Sequence, residues 1–103
     1  MSYSIYDSRG YVGDLATVEG LKELRTFLAS QGQEASQLKI LLNNGHVRTS
    51  VKLLEEFGNL PEPGSADVKK TLFNLEDLVA QCEDIVIITD GVFDEGEGTE
   101  ATG

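Results

Sequence analysis

The chain of 103 residues has no tryptophan, a single cysteine and a single histidine. Because Cys82 has no second cysteine to join, an internal disulfide is excluded, and we expect a reducing, cytoplasmic location. Zinc sites need more ligands than Cys82 and His46 together supply. No apolar run approaches the ~20 residues of a membrane-spanning helix, so we expect no membrane partner. The N-terminus lacks the basic and apolar regions of a secretory signal.

Positive charge is also scarce, since eight Lys and Arg residues oppose eighteen Asp and Glu residues, for a formal net charge of −10. Such a surface repels phosphates, and we therefore expect no nucleic-acid partner. The final stretch holds five acids and no base: Asp90, Asp94, Glu95, Glu97 and Glu100. We expect residues 1–93 to form a single domain and the acidic, Gly-rich residues 94–103 to form a disordered tail.

Strand-forming residues are concentrated at the two ends of the chain. Near the carboxyl end, Ile85 to Ile88 are four consecutive β-favouring apolar residues, followed by Thr89 and Asp90. Near the N-terminus, aromatic and β-branched residues flank a turn that begins at Asp7 and ends at Gly10. This turn chemistry predicts a hairpin with strands at 2–7 and 10–14, in which Gly10 takes a left-handed conformation.

Between these strands, apolar residues recur with the period of a helix. Four helices are predicted, each bounded by a capping residue or a glycine stop: 17–32, 34–44, 49–58 and 65–82. Asn74 is an alternative break point within the last of them, because asparagine favours helix caps.

The order of these elements predicts an α+β fold with a small three-stranded sheet and helices on one face. We expect the spatial order 2-1-3, in which the last strand lies beside the first and runs parallel to it after a crossover through the helices. The alternative places the last strand in an antiparallel position at the other edge of the hairpin.

An apolar strand at the edge of a sheet invites pairing with another chain. We therefore predict a partner-binding surface formed by Tyr6, Tyr11, Val86, Ile88 and Phe93, covered by a second copy of the chain or by a different protein. The alternative is a monomer whose own helices cover both faces of the sheet.

The expected function is a non-enzymatic protein-interaction or accessory module, with no cofactor and no metal. One alternative is an acidic mimic of nucleic acid that blocks a basic binding groove. A second alternative is a metal-dependent enzyme, because Asp7 and Asp90 would share one edge of the sheet if their strands were parallel.

We expect Cys82 to fill space in the core, since the acidic neighbours Glu83 and Asp84 do not favour a reactive thiolate.

Overall fold

The structure is a computed structural model, and it describes residues 2–90. Within that range, the chain forms one sheet, and its α-helices lie in the segments that connect the strands. The α+β class is therefore confirmed. In chain order the elements are β1 (Ser2–Asp7), β2 (Gly10–Thr17), α1 (Val18–Ala29), a 3-10 turn (Gln33–Ala35), α2 (Ser36–Asn44), β3 (His46–Val47), α3 (Ser50–Asn59), α4 (Ala66–Gln81) and β4 (Val86–Thr89). The expected disordered tail, 94–103, lies outside the described residues.

The N-terminal hairpin forms at the predicted turn. Asp7 pairs with Gly10 at the tip, and the Asp7 Oδ1 accepts a hydrogen bond from the Arg9 N–H at 2.9 Å. Gly10 has a φ of 122°, a conformation that a side chain would strain. The second strand continues to Thr17 rather than to residue 14, and its pairing with β1 is interrupted by two register shifts.

Local caps explain where several helices begin and end. Thr17 Oγ1 accepts from the Gly20 N–H at 3.0 Å, and Ser65 Oγ accepts from the Val68 N–H at 3.4 Å. At the other end of α2, Gly45 takes a left-handed conformation with φ 88°. Three helix boundaries differ from those predicted: α1 ends at Ala29, before Gly32, α2 begins at Ser36 rather than at residue 34, and α3 continues through Gly58 to Asn59.

The sheet has four strands in the order β2-β1-β4-β3. The predicted neighbours of β1 are therefore correct, but the short strand β3 was missed, and the parallel direction expected for the last strand is wrong. β4 runs antiparallel to β1. The reason is where α4 ends, since the Glu83 N–H donates to the Asp7 carboxylate at the end of β1. Only Asp84 and Ile85 lie between Glu83 and β4, too few residues to reach the other end of the sheet, so β4 must run back along β1.

The core lies between the sheet and the helices. Its largest fully enclosed side chains include one leucine from each helix and one β-branched residue from each of the two central strands: Leu24, Leu38, Leu53, Leu75, Ile5 and Val86. Burying each such side chain contributes about 1.5–3 kcal/mol. None of the helices between residues 2 and 90 is long and apolar enough to cross a bilayer.

Candidate docking face

A single row of side chains crosses all four strands on the sheet face turned away from the helices. Tyr11 pairs with Tyr6, Tyr6 pairs with Ile87, and Ile87 pairs with His46. Directly opposed residues project to the same face of a sheet, and successive residues alternate between faces. Because Ile5 is fully buried in the core, Tyr6 and its partners lie on the opposite face. We call Tyr11, Tyr6, Ile87 and His46 the outer row.

The two tyrosines of the outer row pack edge to face, with ring centroids 5.7 Å apart and planes at 74°. Tyr6 is only 5% exposed, whereas Tyr11 is 56% exposed. The Tyr11 hydroxyl donates to Asp14 Oδ1 at 2.7 Å, and the Ser4 hydroxyl donates to the same oxygen at 3.1 Å. Tyr11 is therefore an accessible aromatic side chain held in place from below by a buried ring and at its tip by a hydrogen bond.

The predicted surface residues divide between the two faces. Tyr6 and Tyr11 lie in the outer row, but Val86 is fully buried opposite Val47 in the core, and Ile88 pairs with Ile5 on the same inner face. Residues two apart on a strand share a face, which is why Val86 and Ile88 both point to the helices. Phe93 lies outside the described residues.

Ile87 and His46 are the members of the outer row that the sequence did not reveal. The uninterrupted apolar run from Ile85 to Ile88 conceals the alternation that would have separated Ile87 from its neighbours. His46 belongs to a strand of two residues, which is too short to leave a periodic pattern.

The expectation that the last strand is a bare edge is wrong, because β4 lies between β1 and β3. A strand enclosed on both sides explains the continuous apolar run better than an edge does. The edge at β2 is partly closed, since the Asn74 side-chain amide on α4 donates to the carbonyls of Leu15 at 2.8 Å and Asp14 at 3.0 Å. The other edge is only as long as β3. Pairing through an edge is therefore a weaker route to association than contact through the outer row.

Asp7 and Asp90 do not meet at one edge of the sheet. The antiparallel register places Thr89 opposite Ser4, so Asp90 follows near the start of β1, whereas Asp7 ends that strand. Asp90 is therefore level with Tyr3, which is four positions along β1 from Asp7, a distance of about 13 Å. Among residues 2–90, no group of three or more His, Cys, Asp or Glu side chains has the geometry to hold a metal ion.

The Asp7 carboxylate is instead used inside the protein. Its side chain is 1% exposed, and Arg9 Nη2 donates to Oδ2 at 2.7 Å. The hydrogen bonds from the Arg9 side chain lower the pKa of Asp7 below its usual range, against the opposing effect of burial. Arg9 also donates to the Gln81 carbonyl at 3.0 Å, so this ion pair ties the hairpin turn to the end of α4.

Cys82 is buried in the core next to this ion pair, the position expected of it. Burial, with a further contribution from the Asp7 charge, raises the pKa of the Cys82 thiol to about 11. Its Sγ lies 3.4 Å from the Leu78 carbonyl, to which it donates. A protonated, enclosed thiol is a weak nucleophile.

Several carboxylates of the folded part are occupied by contacts within the chain. Glu56 accepts from the N–H groups that open α2, Glu62 pairs with Lys69, and Glu83 lies 3.8 Å from Arg9. A mimic of nucleic acid needs carboxylates free to meet a partner's cations, and these contacts reduce the number available.

Comparison of the chain with protein-family models, curated proteins and solved structures finds no match.

Proposed function

We propose that the chain is a non-enzymatic protein-binding module whose outer row docks onto a basic surface of a partner protein. The observation that carries the proposal is Tyr11, which is 56% exposed yet fixed by the Tyr6 ring and by Asp14. Tyrosine is enriched at the centre of protein interfaces, where its ring contributes contact area and its hydroxyl a hydrogen bond. A side chain that is already positioned loses little conformational entropy on binding.

The charge of the chain supports a basic partner. The net charge is −10, and the stretch from Asp90 onward holds acids and no bases. Asp90, the first acid of that stretch, directly follows β4, which carries Ile87 of the outer row. Opposite charge would speed the encounter and orient the partner. A second copy of the chain has the same excess of acids and is a poorer occupant for this reason. The single buried cysteine is compatible with a reducing cytoplasm as the place of action.

Selection of displayed peptides tests this function. The wild-type protein is panned against a random peptide library, and enriched peptides are then measured against variants by calorimetry. We expect enriched peptides to combine Lys or Arg with an apolar residue, and Tyr11→Ser to weaken a subset at least tenfold, which is about 1.4 kcal/mol. The control is Val51→Ser, which removes an apolar side chain of similar exposure, 62%, on α3 and outside the outer row. That control should leave the same subset unchanged.

Two results would contradict the proposal. One is a set of enriched peptides whose affinities are all indifferent to Tyr11→Ser. The other is an affinity that does not fall as the salt concentration rises, because a charge-assisted contact is screened by ions. Sedimentation of the free protein tests whether a second copy of the chain occupies the outer row instead. A dimer that dissociates with Tyr11→Ser would assign the outer row to that second copy.

A further inference from the structure

A second accessible aromatic ring lies on a helix rather than in the sheet. Phe73 on α4 is 55% exposed, although Leu72 before it and Leu75 after it are buried. It forms one wall of a groove of about 290 Å³, whose other wall is the loop that joins α3 to α4. This volume lies at the lower limit of the usual range for small-molecule sites, about 300–1,000 Å³, and it is enough for one or two amino-acid side chains.

The loop wall of the groove is stiff. Pro61 and Pro63 both line the groove, and each proline ring fixes one backbone angle. The loop is also anchored where it leaves α3, since the Leu60 N–H donates to the Phe57 carbonyl at 3.3 Å. A groove whose shape exists before binding requires little ordering when a ligand enters.

The charged residues of the groove select for a cation. Glu62 and Glu76 both line it, and Glu62 forms an ion pair with Lys69. The Lys69 Nζ also lies 6.0 Å from the centroid of the Phe73 ring. This lysine shows that an ammonium group is accommodated between a carboxylate and the aromatic face, an attraction of about 0.5–1 kcal/mol at exposed sites.

Glu76 remains available to a ligand from outside. Its side chain is partly exposed and lines the same groove. Within residues 2–90 the ion pairs join only Arg9 to Asp7 and Glu83, and Lys69 to Glu62. An exposed phenyl ring beside an unneutralised carboxylate matches a segment that places an apolar side chain next to Lys or Arg.

We propose that this groove binds a short partner segment in which an apolar residue adjoins a lysine or arginine. The carboxylate of Glu76 favours a basic segment over an acidic one. A second copy, with its net charge of −10, is disfavoured for the same reason. The site is separate from the outer row, which lies on the other face of the sheet, and it holds or fails independently of the proposed function.

Three synthetic peptides test the groove. Each has leucine at the centre, and the flanking residues are lysine in the first, glutamate in the second and serine in the third. Binding is followed by amide chemical shifts of the full-length protein. We expect the lysine peptide to shift resonances of residues 57–63 and 72–76, and the glutamate peptide to leave them in place. Phe73→Ser should weaken the lysine peptide at least tenfold, whereas Val51→Ser, at an exposed apolar residue outside the groove, should not affect it.

A second variant keeps the test decisive if Phe73→Ser perturbs folding. Glu76→Gln keeps the size of the side chain and removes its charge, and it should weaken the lysine peptide and reduce the dependence of its affinity on salt. The proposal is overturned if no peptide shifts these resonances, if the glutamate peptide binds equally well, or if Glu76→Gln has no effect. It is also overturned if the same resonances move with protein concentration alone, which would identify a second copy as the occupant.

Discussion

The carboxylate of Glu56 on α3 closes the open start of α2, where its Oε1 accepts a hydrogen bond from the Leu38 N–H at 2.8 Å. Its Oε2 accepts from the Gln37 N–H at 2.8 Å and from the Ser36 hydroxyl at 3.2 Å. Ala35 occupies the N-cap position and has no side-chain oxygen. The first turn of a helix leaves N–H groups without partners and is partly positive, so a carboxylate supplied by another helix both satisfies donors and meets favourable charge.

We therefore expect Glu56→Gln to lower the free energy of unfolding by about 1–2 kcal/mol, because the amide loses the charge and one of the two acceptor oxygens. Urea denaturation monitored by circular dichroism measures the change. Glu55→Gln is the matched control, since Glu55 is exposed on the same helix. The control should shift stability by less than about 0.5 kcal/mol. Equal losses in the two variants would show that the effect is one of net charge rather than of the cap.

The side chain of Asn74 should stabilise the edge of the sheet. Asn74→Ala leaves the carbonyls of Asp14 and Leu15 without the amide that now donates to both. We expect a loss of about 1–2 kcal/mol in urea denaturation, although alanine is the better helix former. The control is Asn43→Ala, which makes the same exchange at an exposed position of α2 and should be neutral or slightly stabilising. A gain in stability with Asn74→Ala would mean that the two hydrogen bonds contribute nothing.

These two contacts also show which parts of the fold the sequence can predict. Thr17 caps a group three residues away, and so does Ser65, so both helix starts could be read from local chemistry. Glu56 acts on a helix 18 residues earlier, and Asn74 reaches back 59 residues to Leu15. Contacts at such separations depend on how the helices pack, which no local pattern encodes. For this reason the sequence offers Asn74 as an alternative break point, whereas α4 runs through it.

The direction of β4 and the composition of the docking face also depend on contacts between residues far apart in the chain. The apolar run from Ile85 predicted a strand and its neighbour, but the contact between Glu83 and Asp7 decides which way the strand runs. Tyr6 and Tyr11 were predictable because both flank the hairpin turn. Ile87 required the register of β4, and the groove at Phe73 required the packing of α4 against the loop after α3.

Two glycines should respond in opposite directions to the same substitution. Gly45 has φ 88°, and a Cβ there would lie 3.5 Å from the Ile88 carbonyl oxygen, so Gly45→Ala should cost about 1–2 kcal/mol. Gly58 lies within α3, and a Cβ there meets nothing within 4 Å. Gly58→Ala should add about 0.5–1 kcal/mol, because alanine restricts the unfolded chain and favours helix. Thermal unfolding midpoints would show the two shifts, and shifts of the same sign would contradict the backbone argument.

The ion pair between Asp7 and Arg9 predicts how stability changes with pH. The pKa of Asp7 is lower in the folded protein than in the unfolded chain, chiefly because the Arg9 side chain hydrogen-bonds the carboxylate. The unfolded chain therefore binds the proton more tightly. The stabilising contribution is complete above the unfolded pKa of about 3.9 and is lost as the pH falls through the folded value. Between pH 7 and 5 we expect the contribution of this ion pair to stability to stay constant. Below about pH 4 we expect that contribution to decline.

Arg9→Met isolates the contribution of the ion pair. The variant keeps an apolar chain of similar length but removes the guanidinium that Asp7 Oδ2 now accepts from at 2.7 Å. It should be less stable than the wild type at pH 7, and the difference should shrink as the pH falls, since a protonated Asp7 gains little from Arg9. Arg48→Met removes an exposed arginine after β3 that has no ion pair within residues 2–90, and its effect should be independent of Asp7 protonation. A difference between wild type and Arg9→Met that stays constant from pH 7 to pH 3 would mean that Arg9 acts through packing and its bond to the Gln81 carbonyl, not through the charge of Asp7.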